Sequence, residues 1–218
     1  MEEIKAPPNT PGRPDMTPFP VQIPQTASGL DVVSSLLKNR VIMLANHIND
    51  EVANCITAQM LHLAAEDANE PIKLYINTPS GSVTSGLAIF DVMNFVPCPV
   101  ETVCFGMAAQ VGAVLLSAGT KGRRRCLPHA RVMLHQPMGG AQGQAADIEI
   151  QAKELLYTRE LLNQILSKTT GKPIETIRDD TDRDFFITAQ QAKDYGLIDD
   201  VLDTKLGTLE VPPIASLV

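Results

Sequence analysis

Three times between residues 40 and 119, a short apolar run is followed by a segment in which apolar residues return every three or four positions. RVIMLA (40–45) precedes Val52, Cys55, Ile56, Met60 and Leu63; IKLYI (72–76) precedes Val83, Leu87, Phe90 and Met93; VETVCF (100–105) runs into a stretch that ends at Gly119. The runs read as buried strands, and the segments behind them carry the helical period. Strand followed by helix, repeated, predicts βαβ units on a mostly parallel sheet and so an α/β fold. RVMLH (131–135) is expected as a further strand. A long helix should run from Asp147 to about Thr170, closed by Gly171, with Pro173 starting the next. Thr188 to Gln191 (TAQQ) is a capping box for a short helix that Gly196 ends.

A chain of 218 residues suits one α/β core. Residues 1–25 hold seven prolines and little periodicity, which predicts a flexible arm. The folded domain is placed at 26–203, with a tail at 204–218. The net charge of -7 argues against a nucleic-acid partner. No apolar run is long enough to span a bilayer, so no membrane role is expected. The acidic start, MEEIK, reads as neither a secretory signal nor a transit peptide, and a cytoplasmic protein is expected; a plastid stroma fits if a transit peptide has been removed. The cysteines at 55, 98, 104 and 126 lack CxxC spacing and read as reduced, buried, structural residues, with no metal implied. The basic run at 121–125 (KGRRR) reads as a solvated turn.

In such sheets the chemistry collects in loops at the carboxyl ends of the strands. Here those loops are NTPSG (77–81), GMAAQ (106–110) and HQPMGG (135–140). The first opens a helix whose free amides can receive a carbonyl oxygen. The second is a tight strand-to-helix turn with one large polar side chain, Gln110; in a hydrolase elbow that place holds the nucleophile. His135 follows an apolar strand at the mouth of the same cleft, whereas His47, His62 and His129 have no comparable setting. Asp184, ahead of two phenylalanines, is placed to bury its carboxylate partly beside an imidazole.

Together these segments resemble the proteolytic subunit of the ATP-dependent Clp protease, over about residues 25–202. INTPSG stands for a family INSPGG, GMAAQVGA for GxAASMGA, and LPHARVMLHQPMGGAQGQAADIEIQAKELL and TDRDFFITAQQAKDYGLID are close to the family's own words. The resemblance implies a ClpP/crotonase-like fold of repeated ββα and βαβ units with a protruding handle, a strand plus long helix at about 136–170. It gives His135 the role of general base, Asp184 that of the acid orienting it, and the amides of Gly81 and Val111 that of an oxyanion hole. The nucleophilic serine falls on Gln110. A carboxamide cannot give up a proton and attack a carbonyl as an activated hydroxyl does, so the resemblance is to a non-catalytic, ClpR-like subunit. The larger side chain is expected to lie over His135 and hydrogen-bond to it. Ser117 lies about 10 Å further along the helix, too far to substitute, and no pattern brings Thr84 or Ser85 to the imidazole. Ser80 stands where the family has a glycine, and a Cβ there restricts the backbone.

The resemblance also implies seven-membered rings stacked face to face around a chamber for unfolded polypeptides, built with active ClpP-type paralogues and served by a hexameric Clp ATPase. Gln136, Asp182 and Arg183 match ring-to-ring contacts. Gly139, Gly140, Ala141, Gln142 and Gly143 match a strand that holds substrate by β-addition. Leu61, Tyr75, Phe95 and Leu202 match the lining of the ATPase-docking pockets, while Lys73 and Arg125 put charge where aromatics are common and so imply weaker docking. The stretch between Gly29 and Asp31 is short for the family, and the arm is not expected to form axial pore loops. No cofactor is implied. Two other readings stand beside this one: an active serine-family endopeptidase with an unconventional nucleophile or a substituted serine, and an acyl-CoA enzyme of the crotonase superfamily. The HQP, GGAQGQ and TDRD segments, the short chain and the lack of an obvious catalytic glutamate oppose the last.

Overall fold

A computed structural model of the chain describes residues 32–140, 142–205 and 207. The proline-rich arm, the stretch from Gly29 to Asp31, Ala141 and most of the 204–218 tail lie outside the described residues. A short helix α1 (Val32–Lys38) leads into β1 (Val41–Leu44), α2 (Asp50–Glu66), β2 (Ile72–Thr78), α3 (Val83–Phe95), β3 (Val100–Ala109) and α4 (Val111–Ser117). The expected alternation is present, and β1, β2 and β3 pair in parallel. Asn49 caps α2 by accepting the Val52 amide at 2.9 Å, and Ser82 caps α3.

The second half contains β4 (Arg124–Cys126), β5 (Arg131–Leu134), α5 (Ala145–Thr170), α6 (Ile174–Thr181), β6 (Phe185–Thr188), α7 (Ala189–Tyr195) and β7 (Asp200–Val201). Gly171 closes α5 at φ 80°, and the capping box of α7 is made in both directions, at 3.2 and 2.8 Å. Strands β4, β6 and β7 were not foreseen. They are two to four residues long.

The sheet divides along β3. Its first half, Thr102 to Cys104, pairs with β4, and its last three residues, Met107 to Ala109, pair with β5 instead. Gly106, at φ 77°, sits at the division, where a Cβ would stand 2.6 Å from Asn77 Oδ1. The same oxygen accepts the Met107 amide at 3.1 Å, so the glycine and the asparagine together fix the point at which β3 changes partners. β5 in turn pairs antiparallel with β6. This second leaf carries the strand ends at which the functional candidates lie.

Every residue of α4 is buried. It packs closely because its neighbours are small: a Cβ on Gly86 would meet Val111, and one on Gly112 would meet Thr78. Leu115 and Leu116 are fully enclosed, each worth roughly 1.5–3 kcal/mol.

The basic run is not a solvated turn. Gly122 makes the turn at φ 85°, but Arg124 belongs to β4 and is 4% exposed. Its guanidinium bonds both oxygens of Asp199, at 3.0 and 2.7 Å, and the carbonyls of Ser117 and Thr169. A buried arginine is tolerable here because its charge is paired and its donors are satisfied. Of the cysteines, three are buried as expected and Cys55 is exposed, on the outer side of α2.

Candidate active site

Gln110 stands where β3 stops and α4 begins, at φ 51° and ψ −117°. Glycine enters this region freely and residues with a Cβ rarely do; among the described non-glycine residues only Arg40 shares a positive φ. The turn is held from both sides. Its amide donates to the Met133 carbonyl at 2.9 Å, and its own carbonyl accepts the amides of Ala113 and Val114 at 3.0 and 3.3 Å. The side chain is lifted on the tip of a sharp strand-to-helix turn, which is the backbone form of a nucleophile elbow.

The sheet register brings the other two candidates to the same place. Ala109 pairs with Met133 on β5, and Leu134 pairs with Phe185 on β6. Gln110, His135 and Asp184 therefore lie at adjoining ends of three neighbouring strands. His135 Nε2 is 3.7 Å from Asp184 Oδ1, too long for a hydrogen bond, and Nδ1 is buried without a partner. The expected bond from Gln110 to the ring is therefore absent at Nδ1. In a working triad the carboxylate holds Nδ1 and Nε2 faces the nucleophile; here the ring offers Nε2 to the acid. Asp184 is also 61% exposed, against the partial burial expected of it: β6 turns Phe185 inward, but the carboxylate ahead of the strand stays in solvent.

Gly81 forms an isolated parallel bridge to Ile48, and a Cβ on it would stand 2.8 Å from the Ile48 carbonyl oxygen, so close approach of two backbones requires the glycine. Among the described residues neither the Gly81 amide nor that of Val111 donates to a backbone carbonyl. Ser80 does not need glycine's freedom, having no positive φ. Its Oγ lies 3.0 Å from His47 Nδ1, a pairing hidden from sequence reading by the separation of 33 positions along the chain. Ser117 is buried, donating to the Val114 carbonyl and accepting from Thr169, and Ser85 is bonded to Asp50 at 2.5 Å. Among the described residues no group of histidine, cysteine and acidic side chains is placed to hold a metal.

Gln136, Asp182 and Arg183 form one cluster. The Gln136 carboxamide donates to the carbonyl and Oδ1 of Asp182 at 3.1 and 3.2 Å, and Arg183, 93% exposed, lies 3.5 Å from the same carboxylate. Gly139, Gly140, Gln142 and Gly143 are irregular in this chain, not a strand, and Gly143 has φ 137°. Leu61 and Phe95 are exposed on α2 and α3, while Tyr75 and Leu202 are half-buried at the sheet. Lys73 pairs in register with Glu101, which is joined to Arg123 at 2.8 Å and Arg125 at 3.5 Å. The charges on this face thus form their own network.

Sequence reading also missed Arg40. Its guanidinium donates to the carbonyls of Leu63, Asp67, Glu70 and Pro71, tying the end of α2 to the start of β2. No described helix is long and apolar enough to cross a membrane. The family model for Clp protease matches residues 24–205. With a match over most of its length, on the mixed α/β fold and the loops just described, this chain belongs to the Clp protease family.

Proposed function

We propose that this chain is a proteolytically inactive, ClpR-like subunit of an ATP-dependent Clp protease complex. The observation that carries the reading is Gln110 itself: the elbow backbone, at φ 51° and ψ −117°, is kept, and the side chain it presents has no nucleophile to offer. His135 and Asp184 adjoin it without forming the relay that would activate one. The free amides of Gly81 and Val111 would still receive a carbonyl oxygen, so peptide is held at the site and not cut.

Assembly with active ClpP-type paralogues into stacked heptameric rings is supported by α5. It is 26 residues long, about 39 Å at 1.5 Å per residue. Its buried residues all lie in the last third, while Ile148, Ile150, Leu156 and Tyr157 are exposed along the rest, and Arg159 of the same helix lies 3.5 Å from the Gln136 carboxamide oxygen. Large apolar side chains left exposed along a projecting helix fit packing against another subunit. At β2 and β3, the Glu101 network stands next to Tyr75 in place of apolar lining, which predicts weak docking of the hexameric ATPase.

The test is hydrolysis of a fluorogenic dipeptide by the purified chain, alone and as Gln110→Ser, with assembly followed by native mass spectrometry. The expected result is no turnover by the native chain and turnover on adding an active paralogue, with mixed rings seen by mass. Turnover by the native chain alone that is lost in His135→Ala would overturn the reading.

A further inference from the structure

We infer that Ser80 and His47 form a second nucleophilic site, separate from Gln110, that accepts acyl groups from small activated esters. Ser80 Oγ and His47 Nδ1 are 3.0 Å apart, the separation at which an imidazole takes a hydroxyl proton. The backbones that carry the two residues are tied together. The Ser80 carbonyl accepts from the Ile48 amide at 3.2 Å and from Thr78 Oγ1 at 2.9 Å, and the Ser82 amide donates to the Ile48 carbonyl at 2.8 Å. The loops after β1 and β2 are thereby clamped together, with the serine on one and the histidine on the other. His47 is exposed and Ser80 half-buried, so a small reagent reaches both.

In the reaction, the Oγ proton passes to Nδ1 as Oγ bonds the acyl carbon. The ester C–O bond breaks, and the leaving oxygen takes its proton from the imidazolium. Water then adds to the Ser80 ester, giving up a proton to Nδ1, and releases the acid as the serine hydroxyl is restored. The place of attack differs from that of the family's serine, which maps to Gln110, so this activity does not depend on the reading of Gln110.

The experiment treats the full chain with 4-nitrophenyl acetate, following nitrophenolate release and locating the acetyl group by tandem mass spectrometry of peptides. Acetyl-Ser80 is expected in the native chain, none at that position in Ser80→Ala, and formation at least about tenfold slower in His47→Ala and His47→Gln, given what general bases contribute. Circular dichroism checks that each variant is folded, and His47→Gln, which keeps a polar side chain, decides if His47→Ala is not. Acetyl groups on lysines only, or acetyl-Ser80 at an undiminished rate without His47, overturns the inference. Dipeptide turnover gained by Gln110→Ser and kept in the Gln110→Ser/Ser80→Ala double variant belongs to the other site, so the two readings fail separately.

Discussion

Gln110→Gly should stabilise the folded chain relative to Gln110→Ala. At an ordinary position in a helix or strand, glycine is worse than alanine by about 0.5–1 kcal/mol, because it gives up more freedom on folding. At φ 51° and ψ −117° the order should reverse. A Cβ in a sparsely populated backbone region costs on the order of 1–3 kcal/mol, and glycine removes that cost while alanine keeps it. Setting one against the other leaves glycine ahead by roughly 1 kcal/mol, or about 2–4 °C in Tm for a chain of this size. The side chain is only half-buried and makes no capping bond, so its loss is common to both variants and cancels in the comparison. The assay is thermal and urea unfolding of the two variants at one protein concentration, since assembly would otherwise move Tm. Glycine equal to or below alanine would refute the strained turn, and with it the claim that an elbow survives without its nucleophile.

Asp199→Ala should cost about 3–5 kcal/mol, because it leaves Arg124 buried and unpaired, whereas Arg124→Met/Asp199→Ala should recover most of that in chemical denaturation. Burial alone would raise the Asp199 pKa, but bonds from the Arg124 side chain and amide and from the Gly122 amide outweigh it and hold the carboxyl below its usual range. That stabilisation is complete above the unfolded value, near pH 4, and is lost as pH falls through the lowered folded value, so the acid limb of the stability curve should flatten in Asp199→Asn. On the docking side, aromatic side chains at Lys73 and Arg125 should tighten binding of the partner ATPase in a pull-down or interferometry measurement. No gain would refute the proposal that the Glu101 network weakens docking.

The strands and caps of the first half were legible because each signal is local: Asn49 is three residues from the amide it accepts, and the capping box spans 188–191. The switch of partners along β3 was not, because it turns on Gly106 and Met107 meeting Asn77, a contact between strands 30 positions apart. Yet that switch is what carries His135 and Asp184 to Gln110. Arg124 was misread for a related reason: three arginines in a row look solvated, and only the pairing of β4 with β3 turns the middle one inward. The residues at the candidate site were named from sequence through their resemblance to family words. Their relation was not, since neither the tilt of the His135 ring nor the exposure of Asp184 is encoded by neighbours in the chain.

The enclosure of α4 makes the chemistry at its entry unusually easy to lose and the shape there unusually hard to lose. The helix is locked by contacts at Gly86, Val111 and Gly112, none of which involves the side chain at 110. A change of the tip residue therefore passes almost unnoticed by the core, while a change one or two places on either displaces a backbone or fills a space already occupied. A gene for such a chain can drop its reaction in one substitution and still specify a subunit that matches its working relatives in outline.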